Sequence, residues 1–292
     1  MIVAQVVLED ATEYERKCQR IDAASLPAAG YTITDEAAAA EIVHVYAGRK
    51  LPALRFTPPF VANIASTRRR FSLRRESNPA AVVTPFNVSE AVEDRYFNPV
   101  ILSRRSGEAV ERSEGPVAET DDSFQQRVLR RPPLRSAAQD DRERKVTGSF
   151  ARPSIQTMIE QTMHRIDRFR DDMEWRLFSH PPSPEEFADL AVWVDPAVEE
   201  DDFDGFVAEA LACGVNVVAA GTSINVQRLE KGRTGFLVPP RDPNEMTHAI
   251  LTALFKPELT RARSEAARQT VAKFRAGQRI RALTRIYESI VQ

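Results

Sequence analysis

The chain has 292 residues, a net charge of −2, and 42% hydrophobic against 28% charged residues. That length suits one or two domains, and the apolar share excludes a largely disordered chain. The near-neutral balance removes any electrostatic reason for the whole chain to seek nucleic acid, and its two cysteines, Cys18 and Cys213, have neither metal-ligand nor disulfide-framework spacing.

The opening, MIVAQVVLEDATEYERK, turns from apolar to acidic without the basic start and small-residue cleavage site of a signal peptide. No run approaches the roughly 18–20 apolar residues that span a bilayer. With cysteine so sparse, a reducing, cytoplasmic setting is expected. Up to residue 103, Val- and Ile-rich runs at 2–8, 42–46, 80–83 and 100–102 predict strands, with a short helix at 35–41. Residues 1–103 are therefore expected to form a reduced N-terminal α/β domain. Residues 104–144 are polar, mixed in charge and broken by Pro116, Pro132 and Pro133, which predicts a flexible linker.

Residues 145–292 are better organised. Strands are predicted at 145–150, 175–178, 191–194, 215–219 and 235–238, and helices at 154–169, 185–190, 205–213, 243–255, 258–274 and 278–291. The helix at 154–169 places Ile155, Met158, Ile159, Met163 and Ile166 on one face. Apolar strands alternating with helices predict a parallel sheet covered on both sides, a doubly wound α/β domain.

One stretch points to chemistry. It holds Asp201, a turn at 203–207, Glu209 eight positions after Asp201, Ala212-Cys213-Gly214, Val217-Val218-Ala219, and Gly232-Arg233-Thr234-Gly235-Phe236-Leu237-Val238-Pro239-Pro240-Arg241-Asp242. As a combined string it resembles the donor-domain signature of glycosyltransferase family four, the large retaining GT-B group. The likeness is good over 183–292 and loose over 145–180. The resemblance implies a GT-B-like fold of two Rossmann-like domains, the N-terminal one reduced, with residues 145–292 as the nucleotide-sugar donor domain. It also implies transfer of a hexose from a nucleotide diphosphate sugar to a glycan or lipid acceptor hydroxyl, with retention and without metal or other cofactor.

The residue chemistry is compatible with that reading. Glu209, in the first turn of a predicted helix, can accept ribose hydroxyls, and Asp201 would be the sugar-side acid. Backbone N–H groups from Asp204 through Gly205 and Phe206 to Val207 begin that helix and would face phosphate or a sugar hydroxyl. Gly205 permits close approach. Arg152, just after the 145–150 strand, is the candidate for the diphosphate. His44, at a strand end, matches the position of a cleft histidine in that family and is the second catalytic candidate beside Asp201.

Plainer readings stand beside these. Glu209 can simply stabilise its helix terminus, Asp201 can belong to an exposed acidic loop, and His44 can be a satisfied core residue. Thr222–Gln227 lacks the family's glycine pair and has Gln227 where a Glu is expected, so a non-catalytic protein that binds a nucleotide sugar or a partner enzyme is the alternative. Finally, Arg68, Arg69, Arg70, Arg74 and Arg75 surround Phe71 and Leu73. Such a segment suits peripheral contact with the inner membrane face, although a solvated face is the simpler expectation.

Overall fold

In a computed structural model, the structure describes residues 1–48, 54, 56, 58–64, 79–83, 92–97, 145–199 and 205–291. The expected strand at 100–102, the linker at 104–144, the arginine cluster at 68–75, and Asp201 and Asp204 lie outside those residues.

The first half forms a parallel sheet in the order β2-β1-β3-β4-β5. Its strands are β1 (Ile2–Val7), β2 (Thr32–Thr34), β3 (Ile42–Ala47), β4 (Phe60–Ile64) and β5 (Ala81–Val83). Between β1 and β2 runs α1 (Glu13–Ser25), opened by a capping box in which Thr12 and Glu15 exchange hydrogen bonds. The helix expected at 35–41 is only a single 3-10 turn, Ala37–Ala39.

The second half is another parallel sheet, ordered β10-β9-β8-β6-β7. It comprises β6 (Lys145–Phe150), β7 (Met173–Phe178), β8 (Val192–Asp195), β9 (Asn216–Ala220) and β10 (Phe236–Val238). Its helices are α2 (Gln156–Asp167), α3 (Pro184–Ala188), α4 (Val207–Ala212), α5 (Ser223–Arg228), α6 (Pro243–Phe255) and α7 (Pro257–Thr270). Successive side chains on a strand point to opposite faces, and the core splits accordingly. Val192 and Val194 join Ile155, Ile159 and Ile250 on one face, whereas fully buried Trp193 joins Phe187, Val217 and Ala219 on the other. The sheet is thus covered on both sides, as expected of a doubly wound domain.

Two segments depart from the expected domain division. Val92, Tyr96 and Phe97 pack in the second half's core, with the Tyr96 hydroxyl donating to the Pro182 carbonyl at 2.8 Å. Conversely, the closing helix α8 (Ala276–Val291) returns to the first sheet, where Ile280, Leu283 and Tyr287 pack against Val3, Ile42, Val61 and Val83. The apolar stripe of α8 fits that face better than solvent, so burial carries the chain's end back across.

Under α8 lies a polar core. The Arg279 guanidinium donates through Nε and Nη2 to the two oxygens of Asp22, both at 2.7 Å, with neither side chain exposed. Nη2 also reaches Asn63 Oδ1 at 3.3 Å, and the Tyr46 hydroxyl donates to Asp22 Oδ2 at 2.9 Å. Burial and the Asp22 carboxylate push the Tyr46 phenol well above its ordinary value, so it stays a neutral donor.

Candidate active site

The carboxyl ends of strands in an open α/β sheet are where ligands bind, because the loops there diverge and leave backbone and side chains facing a crevice. At that edge of the second sheet, β8 ends in Asp195, 1% exposed. Arg152, just past β6, donates through Nη2 to Asp195 Oδ1 at 2.5 Å. Asn225, on α5 beyond β9, donates through Nδ2 to Asp195 Oδ2 at 2.7 Å and to the Ala220 carbonyl at 3.1 Å. Thr222 caps α5, accepting from the Asn225 N–H. The buried Arg228 donates through Nη1 to Asn225 Oδ1 at 3.4 Å. Arg152 thus meets the Asp195 carboxylate directly, and Arg228 reaches it through the Asn225 amide.

Gly205 completes this edge. Its Cα lies against the Asp195 carboxylate so closely that any Cβ would overlap it, and its carbonyl accepts from Trp193 Nε1 at 2.6 Å. The next residue, Phe206, has φ of 48°, an unusual left-handed conformation for a non-glycine residue. Its ring packs edge-on to Phe150 with centroids 4.8 Å apart. That bend turns the chain sharply into α4, only six residues long, so few peptide dipoles align at the helix start. Val207 is fully buried in the core beneath it.

Glu209, in the first turn of α4, is 1% exposed and faces the first half. Its Oε1 accepts from Lys17 Nζ of α1 at 2.7 Å, while Oε2 has no hydrogen-bond partner among the described residues. Beside this pair Ile224 of α5 inserts among Tyr14, Cys18 and Tyr46. The seam between the halves is therefore built from α1 on one side and the starts of α4 and α5 on the other.

His44 does not line a cleft. It is fully buried on the face of β3 that α8 covers, stacked on Tyr46 at 4.3 Å between centroids, with Nδ1 hydrogen-bonded to the Tyr287 hydroxyl at 2.6 Å. Burial, and secondarily the nearby Arg279 charge, hold its pKa well below the ordinary 6.5. A histidine kept neutral in the folded state binds fewer protons than in the unfolded chain, so stability is lost as pH falls below about 6.5. His44→Gln is expected to shrink the difference in urea midpoint between pH 7.5 and pH 5.5; an unchanged difference would exclude His44 as its source.

Of the residues singled out from sequence, Arg152 and Gly205 meet at Asp195, with Phe206 and Val207 adjoining. Glu209 lies at the seam, and His44 lies in the first half's core. Asp195, Asn225, Arg228 and Lys17 were not anticipated. Asp195 had a visible signal, since it directly follows the apolar run 191–194, and a polar residue at the end of a parallel strand marks the ligand edge.

Residues 143–255 match the sequence model of the family described as Glycosyl transferases group 1. No curated protein sequence matches the chain significantly. Among solved structures, the chain is similar to a glycosyltransferase from Rickettsia africae, with TM-score 0.63 and 11% identity over 100% of this chain and 98% of the other. It is also similar to Anabaena HepE, solved in complex with UDP-glucose, with TM-score 0.61 and 12% identity over 99% and 100% of the two chains. WaaG, a glycosyltransferase involved in lipopolysaccharide biosynthesis, gives a TM-score of 0.57 at 9% identity over 97% and 98%. The two parallel sheets have the GT-B arrangement of these neighbours, and from β6 through α6 the chain carries a glycosyltransferase group 1 domain.

Proposed function

We propose that the protein transfers a hexose from a nucleotide diphosphate sugar to an acceptor hydroxyl with retention of configuration. The observation that carries this reading is the convergence of Arg152 and Arg228 on Asp195 and Asn225 at the carboxyl ends of the strands, within the residues that match the group 1 model. Guanidinium groups suit the oxygens of a diphosphate through their planar fork.

In this reaction the bond from the anomeric carbon to the phosphate oxygen breaks, and the acceptor oxygen bonds to the same face. The acceptor proton passes to the departing phosphate, so no protein nucleophile is required. Arg152 stabilises the charge that develops on the leaving group, the effect expected to lower the barrier most. Gly205 lets the donor approach the backbone, Glu209 accepts a ribose hydroxyl, and Asp201 orients the sugar. His44, enclosed in the first half's core, has no part in this scheme.

The second reading is a protein that binds the nucleotide sugar, or a partner enzyme, without turnover. It is favoured by Thr222–Gln227, which lacks the family's glycine pair and has Gln227 where a Glu is expected. Calorimetric titration with UDP, GDP and their glucose and mannose conjugates, beside a Glu209→Ala control, tests both. Micromolar binding that the control loses supports a donor site, and release of free sugar in an acceptor screen then separates enzyme from binder. Failure of every nucleotide to bind would sink the enzymatic reading.

A further inference from the structure

The Lys17–Glu209 pair joins residues 192 positions apart and belongs to neither half alone. Both side chains are at least nine-tenths buried. A buried ion pair gives up hydration on both partners, and a hydrophobic pair of similar volume often serves stability as well, so stability alone does not explain it. Its geometry is also incomplete. Lys17 takes Oε1 and supplies the counter-charge, while Oε2 remains a buried acceptor with no donor among the described residues. The Tyr96 hydroxyl, whose phenol feels the Glu209 charge, already donates to the Pro182 carbonyl. A carboxylate whose charge is met and whose second oxygen is unmet calls for a neutral O–H donor, not a second cation.

We propose that Lys17 is a positioning residue for the donor: it fixes the Glu209 carboxylate so that Oε2 accepts one ribose hydroxyl of the nucleotide. The first half would then act on the donor, through α1, as well as on the acceptor. This rests on the nucleotide-sugar reading above and adds to it a residue outside the group 1 domain. Glu209 is 1% exposed, so a hydroxyl meets Oε2 only when the seam between α1 and α4 parts, and the proposal requires the contact of Lys17 with Oε1 to survive that step.

The test is calorimetry on the full chain with UDP and GDP and their 2′-deoxy and 3′-deoxy forms. The wild type is expected to bind the ribonucleotide at least fivefold more tightly than one deoxy form. Lys17→Met is expected to bring that ratio close to one, and Lys17→Arg to keep most of it. A ratio unchanged in Lys17→Met overturns the proposal, as does tighter binding of the ribonucleotide, which would make Lys17 a competitor for the carboxylate. If Lys17→Met does not fold, Lys17→Gln takes its place with the same two outcomes: a ratio close to one supports the proposal and an unchanged ratio overturns it. A wild type that binds nucleotides without any ribose preference overturns the Lys17 role alone. Binding of no nucleotide overturns the nucleotide-sugar reading and this inference with it.

Discussion

Arg279→Met is expected to destabilise the protein by about 3–5 kcal/mol, the usual cost of removing one partner from a buried ion pair. The pair it breaks is fully enclosed: Arg279 on α8 and Asp22 on α1, with no exposure on either side chain. Without the guanidinium, Asp22 would keep only the Tyr46 hydroxyl, and Asn63 Oδ1 would lose its donor. Because α8 reaches the first sheet from the far end of the chain, the loss falls on the contact that closes the fold. Chemical denaturation followed by tryptophan fluorescence would report it. The double variant Asp22→Leu/Arg279→Met should recover much of the loss, since apolar side chains of similar volume can replace a buried pair. A single variant within about 1 kcal/mol of wild type would mean that Asp22 finds another partner.

Gly205→Ala is expected to weaken nucleotide binding substantially while leaving a folded protein. A methyl group there overlaps the Asp195 carboxylate, which Arg152 and Asn225 hold from two other directions. Either the carboxylate swings away and releases both partners, or the turn at 205–206 moves and shifts the start of α4. Overpacking of this kind costs about 1–3 kcal/mol of stability. The effect on nucleotide affinity should be roughly tenfold or more, about 1.4 kcal/mol at the least. Thermal unfolding beside calorimetry separates the two effects. Full affinity in a stable Gly205→Ala protein would show that the ligand edge lies elsewhere.

The second half was legible in the sequence because its central strands β8 and β9 are short apolar runs buried on both faces. The turn to α4 and the choice of Arg152 came instead from the family resemblance, not from strand patterning. The first half was harder to read for a specific reason. Helix α1 buries Tyr14, Cys18 and Ile21, but it also buries Glu15, Lys17 and Asp22, so its inner face looks polar to a periodicity argument. Those charges are compensated in part by partners far along the chain, Glu209 and Arg279, which no local window contains. The capping box at Thr12 and Glu15 was the available signal for this helix. His44 misled in the same way, because a strand-end histidine facing a cleft and one covered by a returning helix have the same local sequence. Asn225 lay within Thr222–Gln227, a stretch weighed for the glycines it lacks and not for the amide it holds.

The return of α8 has a mechanical consequence. The chain passes from the first half to the second between residues 83 and 92, and back at residue 275. These two passages lie side by side: Val92 N–H donates to the Phe274 carbonyl at 2.8 Å, and Val92 bridges to Arg275 in parallel register. Among the described residues, this hydrogen bond and bridge tie the outgoing chain to the returning one, so the two crossings act as a single tie between the halves. Arg20, one turn along α1 from Lys17, reaches Glu93 beside this crossing at 3.8 Å, so the Lys17–Glu209 contact sits near the tie between the halves, where a relative rotation would displace it least.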